Sequence, residues 1–296
     1  MAVPAQLMLG NIGDLQPRNR FDTWIHRLSA EGPTTPAQDL YSGEHWNIAR
    51  NLPALVGGHN KLWICSAGYG LIRDQTNLQP YMATFTPGNR DSVGRSRVES
   101  VDWWRRLTDW PGPQSDQPRS FADLARRDPD ATIIAILSNT YLYACAEDLR
   151  VAKELLRSKD RFVVMGANQA VPELEDVVIP IPARLRSVVG GSLHALQVRA
   201  AAHLLPLAVA DSGDLGLRSL RVVAQRAIDN SPVDPSRRAP GVRMDDRAVR
   251  EYIDRHRHVA SVSATKLLRQ LRESGFSCEQ GRFKKLFHET MQEVAA

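Results

Sequence analysis

Three short apolar runs, each closed by small or polar residues, constrain this chain most: Lys-Leu-Trp-Ile-Cys at 61–65, Thr-Ile-Ile-Ala-Ile-Leu at 132–137 and Arg-Phe-Val-Val-Met at 161–165. Each has the length of a buried strand and falls short of a buried helix. They end at Ser66-Ala67-Gly68-Tyr69-Gly70, at Ser138-Asn139 and at Gly166-Ala167-Asn168, where small residues permit tight turns. A fourth strand is expected at 177–181. Helical patterns lie between and around them. One covers 40–56, with Trp46, Ala49, Leu52 and Leu55 at spacings of three and four; another covers 141–158. A long apolar helix, opened by Gly190-Gly191-Ser192, reaches about residue 209. Strands alternating with helices predict an α/β fold, a largely parallel sheet flanked by helices. Ligands of such sheets bind beyond the carboxyl ends of the strands. The three turns and the double-glycine helix are therefore expected to converge on a nucleotide-sized cavity.

The last part of the chain differs in character. Residues 231–241 (SPVDPSRRAPG) are rich in Pro, Ser and Arg and read as a linker. The expected organisation is an α/β domain over 1–228, a linker over 229–244 and a small all-helical basic module over 245–296. Helices are expected at 245–258, 263–274 and 278–294, with Ser263 capping the second and Gly275 ending it. Leu267, Leu268, Leu271, Phe276, Phe283 and Leu286 make the apolar face, and Lys266, Arg269, Arg272, Arg282, Lys284 and Lys285 stay near a surface. Residues 235–296 hold 13 Lys and Arg against 8 Asp and Glu, an excess that matches the whole chain's +5. Three short helices ending on a basic one resemble a helix-turn-helix DNA-binding unit. The competing readings are a solvated tail and an oligomerisation bundle.

Residues 86–120 carry Arg90, Arg95, Arg97, Arg105 and Arg106 beside Trp103, Trp104 and Trp110. This stretch reads as a long insertion with one short helix near the site. The tryptophans admit two readings: exposed stacking platforms beside phosphate-binding arginines, or core anchors of a long loop.

Other classes find no support. Cys65, Cys145 and Cys278 lie far apart in sequence and suggest neither a disulfide framework nor a CxxC metal site. No apolar run is expected to reach the roughly 20 residues of a membrane span, and the first ten residues lack the pattern of a signal peptide. A reducing cytoplasm is the expected compartment. His256 and His258, two apart on a helix, do not share a face. Neither a Walker loop nor a GxSxG elbow is found. No metal or cofactor is expected.

The most specific text is Leu40-Tyr-Ser-Gly-Glu-His-Trp46, then Trp63-Ile-Cys-Ser-Ala-Gly-Tyr-Gly-Leu-Ile72, then Gln79-Pro-Tyr-Met-Ala-Thr-Phe85. It resembles a bacterial domain family found beside DNA-modification and defence genes, and the second and third pieces also look like the DNA-binding YaaA family. The resemblance runs over 40–204 and includes the 137–149 text LSNTYLYACAEDL. Such domains look like relatives of the uracil-DNA-glycosylase fold, which also occurs in enzymes handling modified guanines in tRNA and in anti-phage DNA glycosylases. The resemblance implies base recognition or cleavage of an N-glycosidic bond. The glycosylase motif Gly-Gln-Asp-Pro-Tyr is absent, and Ser66-Ala-Gly-Tyr69 stands in its place, so no aspartate occupies the equivalent turn.

Glycosidic cleavage builds positive charge on the sugar, which a carboxylate stabilises, and negative charge on the leaving base, which a donor stabilises. The base must first leave the stack. Glu44 and Asp91 are the candidate carboxylates and His45 the candidate donor. Tyr69, Tyr81 and Tyr141 are candidate pocket walls. Asn139 and Asn168 could read a base edge. Ser66 and Gly68 could admit a nucleotide closely, and the backbone of Gly190, Gly191 and Ser192 could hold a phosphate. Each has a plainer reading as a cap, a core aromatic, a turn residue or a packing glycine. The expected function is glycosylase-like excision of a modified base, as in phage defence, from double-stranded modified DNA held by the tail. The rivals are a non-catalytic DNA-binding protein of the YaaA type and an enzyme acting on modified purines in tRNA.

Overall fold

The computed structural model describes residues 3–58, 60–166, 171–232, 241–256 and 263–293. The chain divides into two compact units, Met1–Pro232 and Val233–Ala296. The first thus extends past the expected boundary at 228, because helical packing continues to a buried Ser231 whose hydroxyl donates to the Ile228 carbonyl at 2.6 Å.

The first unit opens with two 3-10 turns (Ala5–Leu7, Leu9–Ile12) and helix α1 (Pro17–Leu28). Strand β1 (Thr35–Pro36) leads into α2 (Ala37–Leu40), α3 (Glu44–Ala49) and α4 (Leu52–Val56). The single helix expected over 40–56 is therefore three short ones. Gly43, at φ +94°, turns the chain after α2, and Pro53, which has no N–H to donate, sits in the first turn of α4. Next come β2 (Trp63–Ser66), β3 (Gly70–Arg73) and β4 (Asn77–Leu78), the last paired antiparallel with β1.

The expected run at 61–65 does form a strand, but outside the parallel sheet. β2 pairs antiparallel with β3 in register Ser66↔Gly70 to Trp63↔Arg73. The Ser66 hydroxyl accepts the backbone N–H groups of Gly68 (3.2 Å) and Tyr69 (2.9 Å), and Gly70 takes φ +77°, so the chain doubles straight back.

Helices α5 (Arg97–Asp109) and α6 (Phe121–Arg127) follow, then β5 (Ile133–Ile136), α7 (Asn139–Ala144), α8 (Ala146–Leu155), β6 (Phe162–Met165) and β7 (Val178–Ile179). Strands β5, β6 and β7 form a three-stranded parallel sheet in that order, as their apolar runs predict. The helix expected over 141–158 breaks at Cys145. Helices α9 (Arg186–Val189), α10 (Leu196–Ser212) and α11 (Leu217–Asp229) complete the unit. The fold is mixed α/β with a small parallel sheet.

The stretch Leu193–Ser212 is, by length and composition, long and apolar enough to cross a membrane, contrary to expectation. Here it packs against α3, α4, α9, α11 and β5, burying Leu196, Val198, Leu204 and Leu205.

The aromatic-rich segment 86–120 resolves its two readings toward packing. Trp103 and Trp104 are buried in α5. Trp103 donates to the Ala67 carbonyl (2.8 Å), and Trp104 donates to Asp148 (3.1 Å). Trp110 stacks with the guanidinium of Arg119 at 5.4 Å. Arg119 is itself buried and serves three carbonyls: Leu71 (3.0 Å), Trp110 (3.1 Å) and Tyr69. Burial pulls it down to about 10, which leaves it charged at neutral pH. Asp148 of α8 accepts the N–H groups of Phe121 and Ala122, both at 2.9 Å, and so caps α6.

The second unit has α12 (Asp246–His256), α13 (Ala264–Glu273) and α14 (Gln280–Glu293) around Val249, Ile253, Leu267, Leu271, Phe283 and Leu286. Ser263 caps α13 through Lys266 N–H (3.3 Å), and Gly275 ends it at φ +83°, both as expected. The unit is not all-helical. Strand β8 (Val242–Arg243) pairs parallel with β9 (Phe276–Ser277), so part of the expected linker belongs to the module.

Replacing Arg119 by Met keeps the apolar stem and removes the charged donor from three carbonyls. The expected cost is about 3 kcal/mol or more, read as a lower urea midpoint at unchanged slope. A loss below about 1 kcal/mol would show that the carbonyls find other partners.

Candidate functional site

The turn at Ser66–Gly70 is densely hydrogen-bonded. Its N–H groups are held by Ser66, and its carbonyls at Ala67, Gly68 and Tyr69 accept from Trp103, Trp24 (2.9 Å) and Arg119. Gly68 is required by packing: a Cβ there would lie 2.4 Å from the Tyr81 ring. Tyr81 therefore lies flush on the turn. Its hydroxyl meets that of Ser66 at 2.6 Å and that of Tyr41 at 2.8 Å. The rings of Tyr69 and Tyr81 meet edge to face at 5.1 Å, and Tyr41 packs on Trp46 of α3 at 5.3 Å. The text Leu40–Trp46, the hairpin turn and the Gln79-Pro-Tyr81 segment thus form one cluster.

Tyr41, Tyr81 and Tyr141 are half-buried and Tyr69 is fully buried. Burial, with the neighbouring phenols adding to it, pushes Tyr41 well above an ordinary phenol. Burial likewise raises Tyr69, Tyr81 and Tyr141. All four phenols stay neutral at physiological pH. Tyr69 is committed to the backbone of Gln79, donating to its carbonyl (3.3 Å) and accepting its N–H (3.2 Å). Tyr141, on α7, sets its ring against Phe85 at 5.0 Å.

The expected catalytic groups do not share one place. Asp91 is buried and accepts the Gly10 N–H at 2.8 Å, capping the N-terminal turns. Glu44 opens α3, three residues after Tyr41. It accepts from the Ser192 hydroxyl (2.9 Å) and from Arg199 of α10 (2.7 and 2.6 Å). The Ser192 hydrogen bond first, and the Arg199 guanidinium next, hold its carboxyl below the usual range, so it is ionised. His45 follows on the exposed side of α3.

Gly190 and Gly191 both have positive φ, +67° and +75°. The Gly190 N–H is spent on the Arg186 carbonyl (2.8 Å), and Ser192 caps the 3-10 turn Leu193–Ala195 through the Ala195 N–H (3.3 Å). The feature expected to cradle a phosphate thus holds the carboxylate of Glu44 instead, because Arg199 and Ser192 present donors to it. Asn139 begins α7 at the carboxyl end of β5. Asn168 and Ala167 lie outside the described residues, as does His258. Gly166, at φ +129°, brings the end of β6 against the Leu137 carbonyl and Gln197 of α10.

Of the expected pocket walls Tyr69 lines a cleft, whereas Tyr81, Tyr141, Glu44, His45 and Asp91 line neither of the following two. One of about 500 Å³ is bounded by Tyr69, Leu78, Gln79, Thr34 and Pro113, with Glu31 as its acid. Another of about 250 Å³ is bounded by Arg20, Arg95, Glu99, Asp102 and Trp103. Neither includes Gly190, Gly191 or Ser192.

The arginines and lysines differ in how deeply they are engaged. Arg97 lies over the Tyr143 ring at 4.2 Å, and Arg90 donates to Asn11 at 2.7 Å, while Arg95 is exposed. In the second unit Arg282 pairs with Asp246 (2.6 and 2.5 Å) and donates to the Met244 carbonyl, and Arg272 donates to the Cys278 carbonyl at 3.1 Å. These two are internal fasteners. Lys284 and Lys285 of α14 and Lys266 and Arg269 of α13 are exposed; Lys285 lies 3.9 Å from Glu289 and Arg269 3.8 Å from Glu273, each one turn along its own helix, and Gln280 and His288 stand one turn either side of Lys284. Among the described residues no group of His, Cys, Asp and Glu is placed to hold a metal.

Sequence reasoning missed Tyr41 and Arg199. Tyr41 lies inside the text that carries the resemblance and was legible there; Arg199 reads as one charge within an apolar helix, with no signal of its partner. It also separated Cys65 and Cys145, which the fold brings to 3.5 Å between sulfurs, on β2 and at the α7–α8 break. Thiol exchange with oxidised glutathione is expected to join them, releasing two reduced glutathiones per disulfide. Peptide mapping should find Cys65 linked to Cys145 and Cys278 free. Recovery of both as free thiols in excess oxidant would show that the pair cannot close. No family model, curated protein or solved structure matches this chain.

Proposed function

We propose that the protein recognises a modified base in double-stranded DNA and cleaves its N-glycosidic bond. The tyrosine cluster receives the extruded base, and the second unit holds the duplex. The single observation that carries this reading is the sequence adjacency in Tyr41-Ser-Gly-Glu44: Tyr41, in a cluster of neutral phenols, stands three residues before an ionised, partly exposed carboxylate. A base needs aromatic walls and neutral hydrogen-bonding groups, and the cation that develops on its sugar needs a negative charge within reach. Glu44 is held ionised and fixed in direction by Ser192 and Arg199, as a group that stabilises charge without taking a proton requires. Asp91, spent on the Gly10 N–H, has no part in this reading. The glycosylase-like fold remains part of the proposal, resting on the resemblance of residues 40–204.

The second reading is a DNA-binding protein without catalysis. It is favoured by one observation: both oxygens of Glu44 already have partners in Ser192 and Arg199.

Incubation with phage DNAs bearing modified bases, followed by abasic-site detection, separates the two. Product is expected from at least one such DNA, and Glu44→Gln should lower turnover by about 10²–10³ with little change in KM. Product formation unaffected by Glu44→Gln would remove the carboxylate from the chemistry. Duplex binding with no product on any modified DNA would leave the second reading. Lys284→Glu with Lys285→Glu should weaken duplex binding and lower the magnitude of the salt slope by about 2. An unchanged slope, measured by anisotropy, would place the duplex elsewhere.

A further inference from the structure

Arg20 of α1 is a buried charge, 8% exposed, whose hydrogen bonds go to neutral groups. Its terminal nitrogens donate to the carbonyls of Val93 (3.1 Å) and Ser92 (2.7 Å). Its buried Nε has no hydrogen-bond partner among the described residues. Burial above all, with the like charge of Arg95 adding to it, holds Arg20 below the ordinary guanidinium range, although Glu99 and Asp91 offset part of the effect. A buried cation bonded to neutral groups alone is left to be balanced by an anion.

Arg20 borders the cleft of about 250 Å³ that Arg95, Arg106, Trp103 and three acids also line. The exposed Arg95 binds Glu99 through its backbone N–H (2.8 Å), not through its guanidinium. Asp102 places its two oxygens on Arg105 and Arg106, at 2.7 Å each. Asp14 is exposed, so water screens it. The start of α1, at Gln16 and Pro17, borders the same cleft. No side chain caps that helix and its first turn holds no acid, so the positive end of its dipole is unopposed there.

We propose that this cleft is an anion site that takes a phosphate group, free or as the monoester of a nucleotide. Arg20 and Arg95 hold the oxygens, and the start of α1 adds its dipole. A phosphate offers several oxygens to guanidinium groups bordering one space, where a carboxylate offers two. The inference is independent of the base-cleavage reading, since neither Glu44 nor the tyrosine cluster takes part.

The test uses the full chain and phosphorus NMR with inorganic phosphate and deoxyadenosine monophosphate, and proton NMR with deoxyadenosine. Both phosphates should broaden at millimolar concentration. Arg95→Gln should weaken their binding by about tenfold. Glu99→Gln keeps an acceptor for the Arg95 N–H, removes a negative charge from the cleft, and should tighten binding by about threefold. Tighter binding of the monophosphate than of inorganic phosphate assigns the site to a nucleotide, and equal binding assigns it to the free ion; either supports the anion site. Deoxyadenosine binding as tightly as its monophosphate overturns it. Phosphate binding that neither variant changes also overturns it, because the ion is then held elsewhere, and so does absence of broadening at about 10 mM. Thermal melting of each variant separates these outcomes from loss of fold.

Discussion

A buried guanidinium with three carbonyls to serve is the constraint on which the first unit turns. Arg119 reaches the hairpin at Tyr69 and Leu71 and the end of α5 at Trp110. Its own N–H, at 3.1 Å from Asp123, helps to fix the start of α6. Taking such a charge out of water is costly, and hydrogen bonds to fixed carbonyls offset that cost only while the geometry holds. The guanidinium thereby ties pieces of chain about 50 residues apart into one arrangement. Two indole N–H groups complete it, so the backbone polar groups of the turn are held on both sides. The small residues there follow from this. Gly68 gives way to the Tyr81 ring, and Gly70 adopts a backbone angle that side chains resist.

What could be read in the sequence divides by range. The apolar runs at 132–137 and 161–165 became parallel strands because burial on both faces leaves a continuous apolar run as its mark. The run at 61–65 has the same mark, yet its fate depended on a serine hydroxyl that closes a hairpin three residues later. That is a local signal, but one shared with many turns. The helical pattern at 40–56 reads as continuous because periodicity survives a break: Trp46 and Leu52 are buried on separate short helices. Ser66, Gly68, Tyr69 and Tyr81 do lie together, since one hairpin and its return segment contain them all. Glu44 and Ser192, 148 residues apart, also meet, although as a carboxylate with its donors and not as two parts of a phosphate cradle. Asp91 reads as an acid in a polar loop; its partner, a backbone N–H 81 residues earlier, leaves no trace in composition.

Charge in the second unit shows why a count of basic residues overstates a binding face. Arg272 and Arg282 sit among exposed neighbours in sequence, yet each spends its donors inside the unit, on β9's flank and on the start of α12. Such fastening substitutes for core size in a unit of about sixty residues, where buried apolar area is limited. The lysines of α14, with flexible stems and no rigid fork, are exposed, and the Lys285 contact to Glu289 is a loose one at 3.9 Å.

The apolar helix α10 carries an implication for how the protein is made. The stretch is greasy enough to be mistaken for a bilayer segment if it met a hydrophobic surface uncovered. Of the helices and strands that pack on it most, α3, α4, β5 and α9 precede it in the chain and α11 follows. On a ribosome several of the covering elements are synthesised before the helix, so the nascent chain already carries part of its shield when this segment emerges, and α11 completes it.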